Sequence, residues 1–176
     1  FIMATEIKKV VSLHDLLDYE ARKFTSAEIH LKNSLHKWVE VASDFKLKAV
    51  LQKYSDMVSA HVQKLENFFA EEGISSISLN NLVMNAFVKE SNDRMDACAD
   101  KEVKDACLLS CIQGINHFKI SMYGTVAAFA QKLGMDKQAA VFHEAMADEK
   151  QIDERLSQLA EHVVNIKAAS PLALKG

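Results

Sequence analysis

Glycine and proline are scarce in this chain, five and one among 176 residues. Tight β-turns draw on both, so the shortage excludes a strand-rich fold and suits a few long helices joined by few turns. Charge of one sign is also missing: 21 basic and 24 acidic residues are interspersed and leave a formal net charge of −3. With no basic stripe there is no footprint for nucleic acid. No run of about 18 apolar residues exists, so no membrane span is expected. Three cysteines, Cys98, Cys107 and Cys111, are too few for a disulfide framework. Together with the lack of a secretory-signal pattern, they set the expectation of a reducing cytoplasm. Glycine-rich phosphate loops, a nucleophile elbow and a CxxC pair are absent as well, which leaves nucleotide-binding, hydrolase and dithiol classes without a foothold.

What is present is helical periodicity. At this length the chain is one domain with a sizeable core. Residues 1–11 read as an extension, 12–167 as the folded unit and 168–176 as a flexible tail. Ser12 followed by Asp15 predicts an N-cap, and Leu17, Ala21, Phe24, Leu31, Leu35 and Trp38 form the buried stripe of a first helix ending near Asp44. A second helix over 45–72 buries Leu47, Leu51, Tyr54, Val58, Leu65, Phe68 and Phe69, and Gly73 ends it. The small polar stretch after Gly73 leads to an inserted helix over about 79–98, with Ser78 as its cap and Leu82, Phe87 and Met95 as a weak apolar face. Asp100 and Gly134 bracket a third long helix whose stripe is Leu109, Ile112, Ile120, Tyr123, Ala127 and Ala130. Asp136 caps a fourth, running to about Lys167 over Val141, Phe142, Ala145, Ile152, Leu156, Leu159 and Val163. The fold class is all-α. Some 30 residues between the second and third long helices allow a crossover, the topology of a ferritin-like four-helix bundle with one extra helix in the connection.

Each of the four stripes is interrupted once by a polar residue: Glu28, His61, Asn116 and Glu149. Burying a carboxylate or imidazole among hydrocarbon is costly unless it is paired, neutralised or metal-bound, so four such intrusions predict a shared polar centre. A carboxylate-bridged di-metal site needs a Glu from each of two helices and a Glu-x-x-His pair from each of the other two, because the i, i+3 spacing aims both ligands at one ion. Glu28 fits a single-Glu position. Glu149 lacks its histidine, since Ile152 stands there, and His61 lacks its glutamate, since Val58 stands there. Asn116 takes the other single-Glu position, where an amide cannot bridge two cations. Asp56 and Asp153 lie near the inward stripes and complete the candidate metal set for a hard cation with oxygen ligands. The competing reading is a hydrogen-bonded network in which Glu28 and Glu149 pair with His61 or Lys119. Lys119 either fills the cation's place or snorkels outward. Cys107 and Cys111, four apart, read as small packing residues, with a redox pair or half a metal site as alternatives.

Three segments, SAEIHLKNSLHKW with DFKLKAVLQKY, NHFKISMYGTVAAFAQKLG and ADEKQIDERLSQLA, resemble the YciF-type bacterial ferritin-like proteins, a stress-associated group. The resemblance covers about residues 17–165. It implies a four-helix ferritin-like bundle with two short connecting helices, a homodimer and a di-iron centre, and Glu28, Glu149 and Asp153 match acidic positions of the family's motifs. That family typically reads Glu-His-Tyr-Glu where this chain has Asn116, His117, Phe118 and Lys119, and carries His and Glu near Tyr54 and Met57. Two functions follow as expectations. One is a stress-associated bundle with an eroded di-metal site that acts mainly by association. The other is iron or manganese binding with peroxide or oxygen handling.

Overall fold

The computed structural model describes residues 9–74 and 79–169. Ser78, the extension up to residue 8 and the tail from residue 170 lie outside the described residues. Among the described residues all regular structure is helical: α1 (Leu13–Val41), α2 (Phe45–Glu71), α3 (Leu82–Asp96), α4 (Lys101–Lys132), α5 (Asp136–Leu159) and α6 (Asn165–Ala168), with a π-helical turn at Ala160–Val164 between α5 and α6.

Local chemistry sets most boundaries. The Ser12 side chain accepts the Asp15 amide at 3.0 Å and donates to the Asp15 carboxylate at 2.8 Å, which satisfies an orphan donor at the start of α1. Gly73 and Gly134, at φ of 68° and 74°, close α2 and α4 in the left-handed region that favours glycine. Asp100 caps α4 by accepting the Val103 amide at 2.9 Å. Asp44, expected at the end of the first helix, instead caps α2 by accepting the Lys46 and Leu47 amides. The inserted helix is shorter than expected and starts at Asn81, whose side chain accepts the Met84 amide. Its buried face is Met84, Val88, Ser91 and Met95; Met95 lies where expected, whereas Phe87 is half-buried and Leu82, two residues and about 200° from Met84, is 68% exposed. Asp136 is the first residue of α5 rather than its cap; Met135 precedes it and makes no capping side-chain bond. The π turn adds residue length to a turn, so the stripe expected at Val163 moves to buried Val164. Val141 and Ile120, both expected inside, are half-buried.

The long helices pack α1 on α2, α2 on α5, α5 on α4 and α4 on α1, with α3 lying over α1 and α4. Ion pairs fix the directions. Lys64–Glu144 and Lys137–Glu71 make α2 and α5 antiparallel, and Asp105 near the start of α4 accepts the Ser43 and Asp44 amides of the α1–α2 connection. Three hydrogen bonds seat α3: His30 with Asn85, Trp38 Nε1 to Asn92, and Asn81 to the Lys23 carbonyl. The core is one contiguous cluster running between the four long helices.

Candidate functional site

At mid-height of that core the four stripe interruptions meet. Glu28 from α1, His61 from α2, and Asn116 and Glu149 from α4 and α5 are all 0–1% exposed. A fifth side chain joins them: Lys119, fully buried one turn after Asn116. Its ammonium lies 3.0 Å from Glu28 Oε2, binds Glu149 Oε1, and sits 3.4 Å from the Tyr54 hydroxyl and 4.8 Å from the centre of the Tyr54 ring. The remaining acceptors are used by neutral donors. Tyr123 donates to Glu28 Oε1 at 2.6 Å, and Tyr54 donates to Glu149 Oε2 at 2.9 Å. Asn116 Nδ2 donates to Glu149 Oε2 at 2.6 Å and to the Glu149 carbonyl at 3.0 Å.

His61 faces the carboxylates with Nδ1, 3.3 Å from Glu149 Oε1 and 3.7 Å from Glu28 Oε1, while Nε2 lies 3.2 Å from Asp148 at the edge of the site. Neither inner distance is an aligned hydrogen bond, so the attraction there is that of opposite charges. Burial alone would lower the His61 pKa, but the Glu149 and Glu28 carboxylates outweigh it and push it up to about 9. Burial raises and the Lys119 charge, His61 and Tyr123 lower the Glu28 pKa, with a net fall below the ordinary carboxylate value. Burial lowers the Lys119 pKa and the two glutamates raise it, with a net rise. Tyr54 and Tyr123 stay protonated, held well above the ordinary phenol range by burial and by the adjacent carboxylates. At neutral pH the centre therefore holds the Lys119 ammonium and the His61 imidazolium against the Glu28 and Glu149 side chains, with Asp148 at its edge.

Two residues of the candidate metal set are not part of it. Asp56 is exposed and accepts from Gln52 on its own helix, and Asp153 pairs with exposed His117 at 3.1 Å on the outer side of α4 and α5. Both sit beside an inward stripe rather than on it, and a helix separates adjacent faces by about 100° per residue. Glu28, His61 and Glu149 do place ligand atoms within 4.8 Å of one another. Yet the donor set does not fit a pair of metals. Lys119 Nζ already lies between the two carboxylates, the Asn116 amide turns its donor toward Glu149, and buried Val58 and Ile152 contribute no ligand. Lys119, Tyr54 and Tyr123 complete the network that the four interruptions only outlined. A second group, His14 with Asp18 and Glu72 at 3.7 and 3.4 Å, lies part-exposed at the start of α1.

Comparisons with known proteins place this chain among relatives. The chain is 29% identical over 144 residues to Protein YciF of Escherichia coli (strain K12), an alignment spanning 81% of this chain and 87% of that one. The crystal structure of the E. coli stress protein YciF superposes with a TM-score of 0.83 at 26% identity, covering 89% of this chain and 99% of its own. YcfI from Rhodopseudomonas palustris superposes with a TM-score of 0.82 at 25% identity, covering 86% and 96% respectively. A family model described as a domain of unknown function, DUF892, matches residues 12–169. With that match over nearly the whole described chain, the protein belongs to the YciF-type DUF892 family.

Proposed function

We propose that this protein is a ferritin-like four-helix bundle of the cytoplasm that works without a di-metal centre, by association with a second copy or another protein, in the stress-related setting that its E. coli relative's description names. One observation carries the reading: the Lys119 ammonium lies between Glu28 and Glu149, at the point where a bridging cation would have to sit. A cation supplied by the chain satisfies the two carboxylates in place of a metal. Association is supported by large apolar side chains on the first two helices that stay exposed, Phe45 at 73%, Val41 at 47% and Ile29 at 39%. A homodimer through α1 and α2 would cover them.

Elemental analysis of protein purified without chelator from iron- and manganese-supplemented cells tests the reading, alongside light scattering at micromolar concentration. The expected result is far less than one metal per chain and the mass of a dimer or larger complex. Two metals per chain would overturn the first half, and a monomer with no co-purifying partner the second. A single bound cation is the second reading, and it is favoured by the mutual proximity of Glu28, His61 and Glu149. It requires Lys119 to swing out and predicts one metal per chain in the same measurement.

A further inference from the structure

All three cysteines of the chain meet at one place, although only two of them are close in sequence. The antiparallel packing of α3 on α4 brings them there. Arg94 Nη2 donates to Ser110 Oγ at 3.3 Å, and the Phe87 and Phe118 rings lie 5.7 Å apart, so positions summing to about 204 or 205 face each other across the two helices. Cys98, two residues beyond the end of α3, falls opposite Cys107 on that register. The Cys98 thiol donates to the Arg94 carbonyl at 3.3 Å and lies close enough to Cys107 to raise its pKa, with Cys111 one helical turn further in. Cys98 and Cys107 are part-exposed, whereas Cys111 is buried.

We infer that Cys98 and Cys107 form an oxidation site at which hydrogen peroxide converts the facing thiols into a disulfide that fastens the end of α3 to α4. The Cys98 thiolate attacks one peroxide oxygen, the O–O bond breaks, and one water leaves after protonation, giving a sulfenic acid. The Cys107 sulfur, losing its proton, then attacks the Cys98 sulfur, the S–O bond breaks, and a second water leaves as the S–S bond forms. Two thiols are oxidised by two electrons and one peroxide is reduced to two waters. Cys107 takes the second step rather than the first. Burial, with the neighbouring thiols, pushes its pKa up to about 11, so it is a poor first nucleophile at neutral pH. Cys107 and Cys111 are a weaker pairing, because residues four apart on one helix project in parallel from successive turns.

The test is peroxide treatment of the full chain, alkylation of remaining thiols, and tryptic mapping without reduction. Trypsin cuts after Arg94, Lys101, Lys104 and Lys119, so Cys98 falls in the peptide 95–101 while Cys107 and Cys111 share the peptide 105–119. The expected product is a cross-link between these two peptides with a single alkylated thiol, which fragmentation places at Cys111. Cys98→Ser and Cys107→Ser should each abolish the link, and Cys111→Ser should keep it. Three alkylated thiols after treatment, a Cys107–Cys111 link inside one peptide, or sulfinic acid on Cys98 without a link would each overturn the proposal. Fragmentation of the wild-type product decides the pairing even if Cys111→Ser does not fold.

Discussion

Replacing Lys119 by Met tests the buried centre most directly, since it removes the charge while keeping most of the side-chain volume. Glu28 Oε2 has the ammonium, 3.0 Å away, and no aligned hydrogen bond, and Glu149 would lose its closest partner. Two carboxylates would then share one imidazolium. Removing one partner from a buried ion pair costs about 3–5 kcal/mol, because the other charge stays in place without compensation. Total stabilities are about 5–15 kcal/mol, so the loss is a large fraction. For a chain of this size about 2–4 °C is lost per kcal/mol, and the melting temperature should fall by roughly 6–20 °C. Thermal and urea unfolding followed by far-UV circular dichroism at pH 7 measure the loss, and the double variant Lys119→Met, Glu149→Gln controls it. That pair removes one charge of each sign and leaves an amide oxygen for Asn116 and Tyr54, so it should recover most of the loss. Manganese should stabilise Lys119→Met and not the wild type, by about 2.7 kcal/mol at a hundredfold excess over its dissociation constant. A single-variant loss within about 0.5 kcal/mol, as at an ordinary surface position, would refute the account of the centre.

The same network predicts a pH dependence of stability. The His61 pKa is raised from 6.5 to about 9 in the folded state, so its contribution is complete below pH 6.5 and is lost as pH rises through 9. The loss is on the order of 3 kcal/mol. The Glu28 pKa is lowered from 4.5, so its contribution is present above that pH and is lost as pH falls through the folded-state value. Urea midpoints from pH 6 to 10 should decline for the wild type and stay flatter for His61→Gln; parallel curves would place the titration elsewhere. Gly114→Ala should raise the urea midpoint, with a gain of about 0.5–1 kcal/mol in unfolding free energy, since the added methyl would meet only the Phe87 ring edge at an ordinary 3.8 Å within a regular helix. A lower midpoint would mean that the contact between α3 and α4 cannot yield at that point.

The helices and their inward faces were legible because caps, periodicity and terminal glycines repeat the same information in adjacent residues. Ser12, Asp100, Gly73 and Gly134 act where their chemistry predicts. Boundaries failed where such markers compete: Asp44, Asn81 and Met135 each lie beside another plausible cap, and a π turn cannot be read from side-chain type. The four polar interruptions were readable one helix at a time. Lys119 was the harder residue, since a lysine next to an apolar stripe is compatible with an outward stem as well as a buried head. Its spacing did hold a signal. Lys119 is seven residues after Ile112 and four before Tyr123, both buried, whereas Ile120, the apolar neighbour expected on the stripe, is half-buried. Cys98 was invisible for a different reason, because its partner depends on how α3 packs, which no local pattern encodes.

Whether a free cation can enter this centre is a competition between a diffusing ion and a tethered one. The Lys119 ammonium hangs on a stem anchored in α4, one turn from Asn116, so both residues reach Glu149 from the same helix. Tethering holds such a group at an effective concentration in the millimolar range or above. A divalent ion offers a larger charge, but it would have to expel the ammonium from between two carboxylates and leave it, still charged, in a fully buried site. It would also add positive charge to a centre that already holds the Lys119 ammonium and the His61 imidazolium. Each of these steps is unfavourable, and Val58 and Ile152 supply no ligand to offset them. Raising external manganese should therefore leave the wild-type centre unchanged, and the barrier should disappear only when the lysine head is removed.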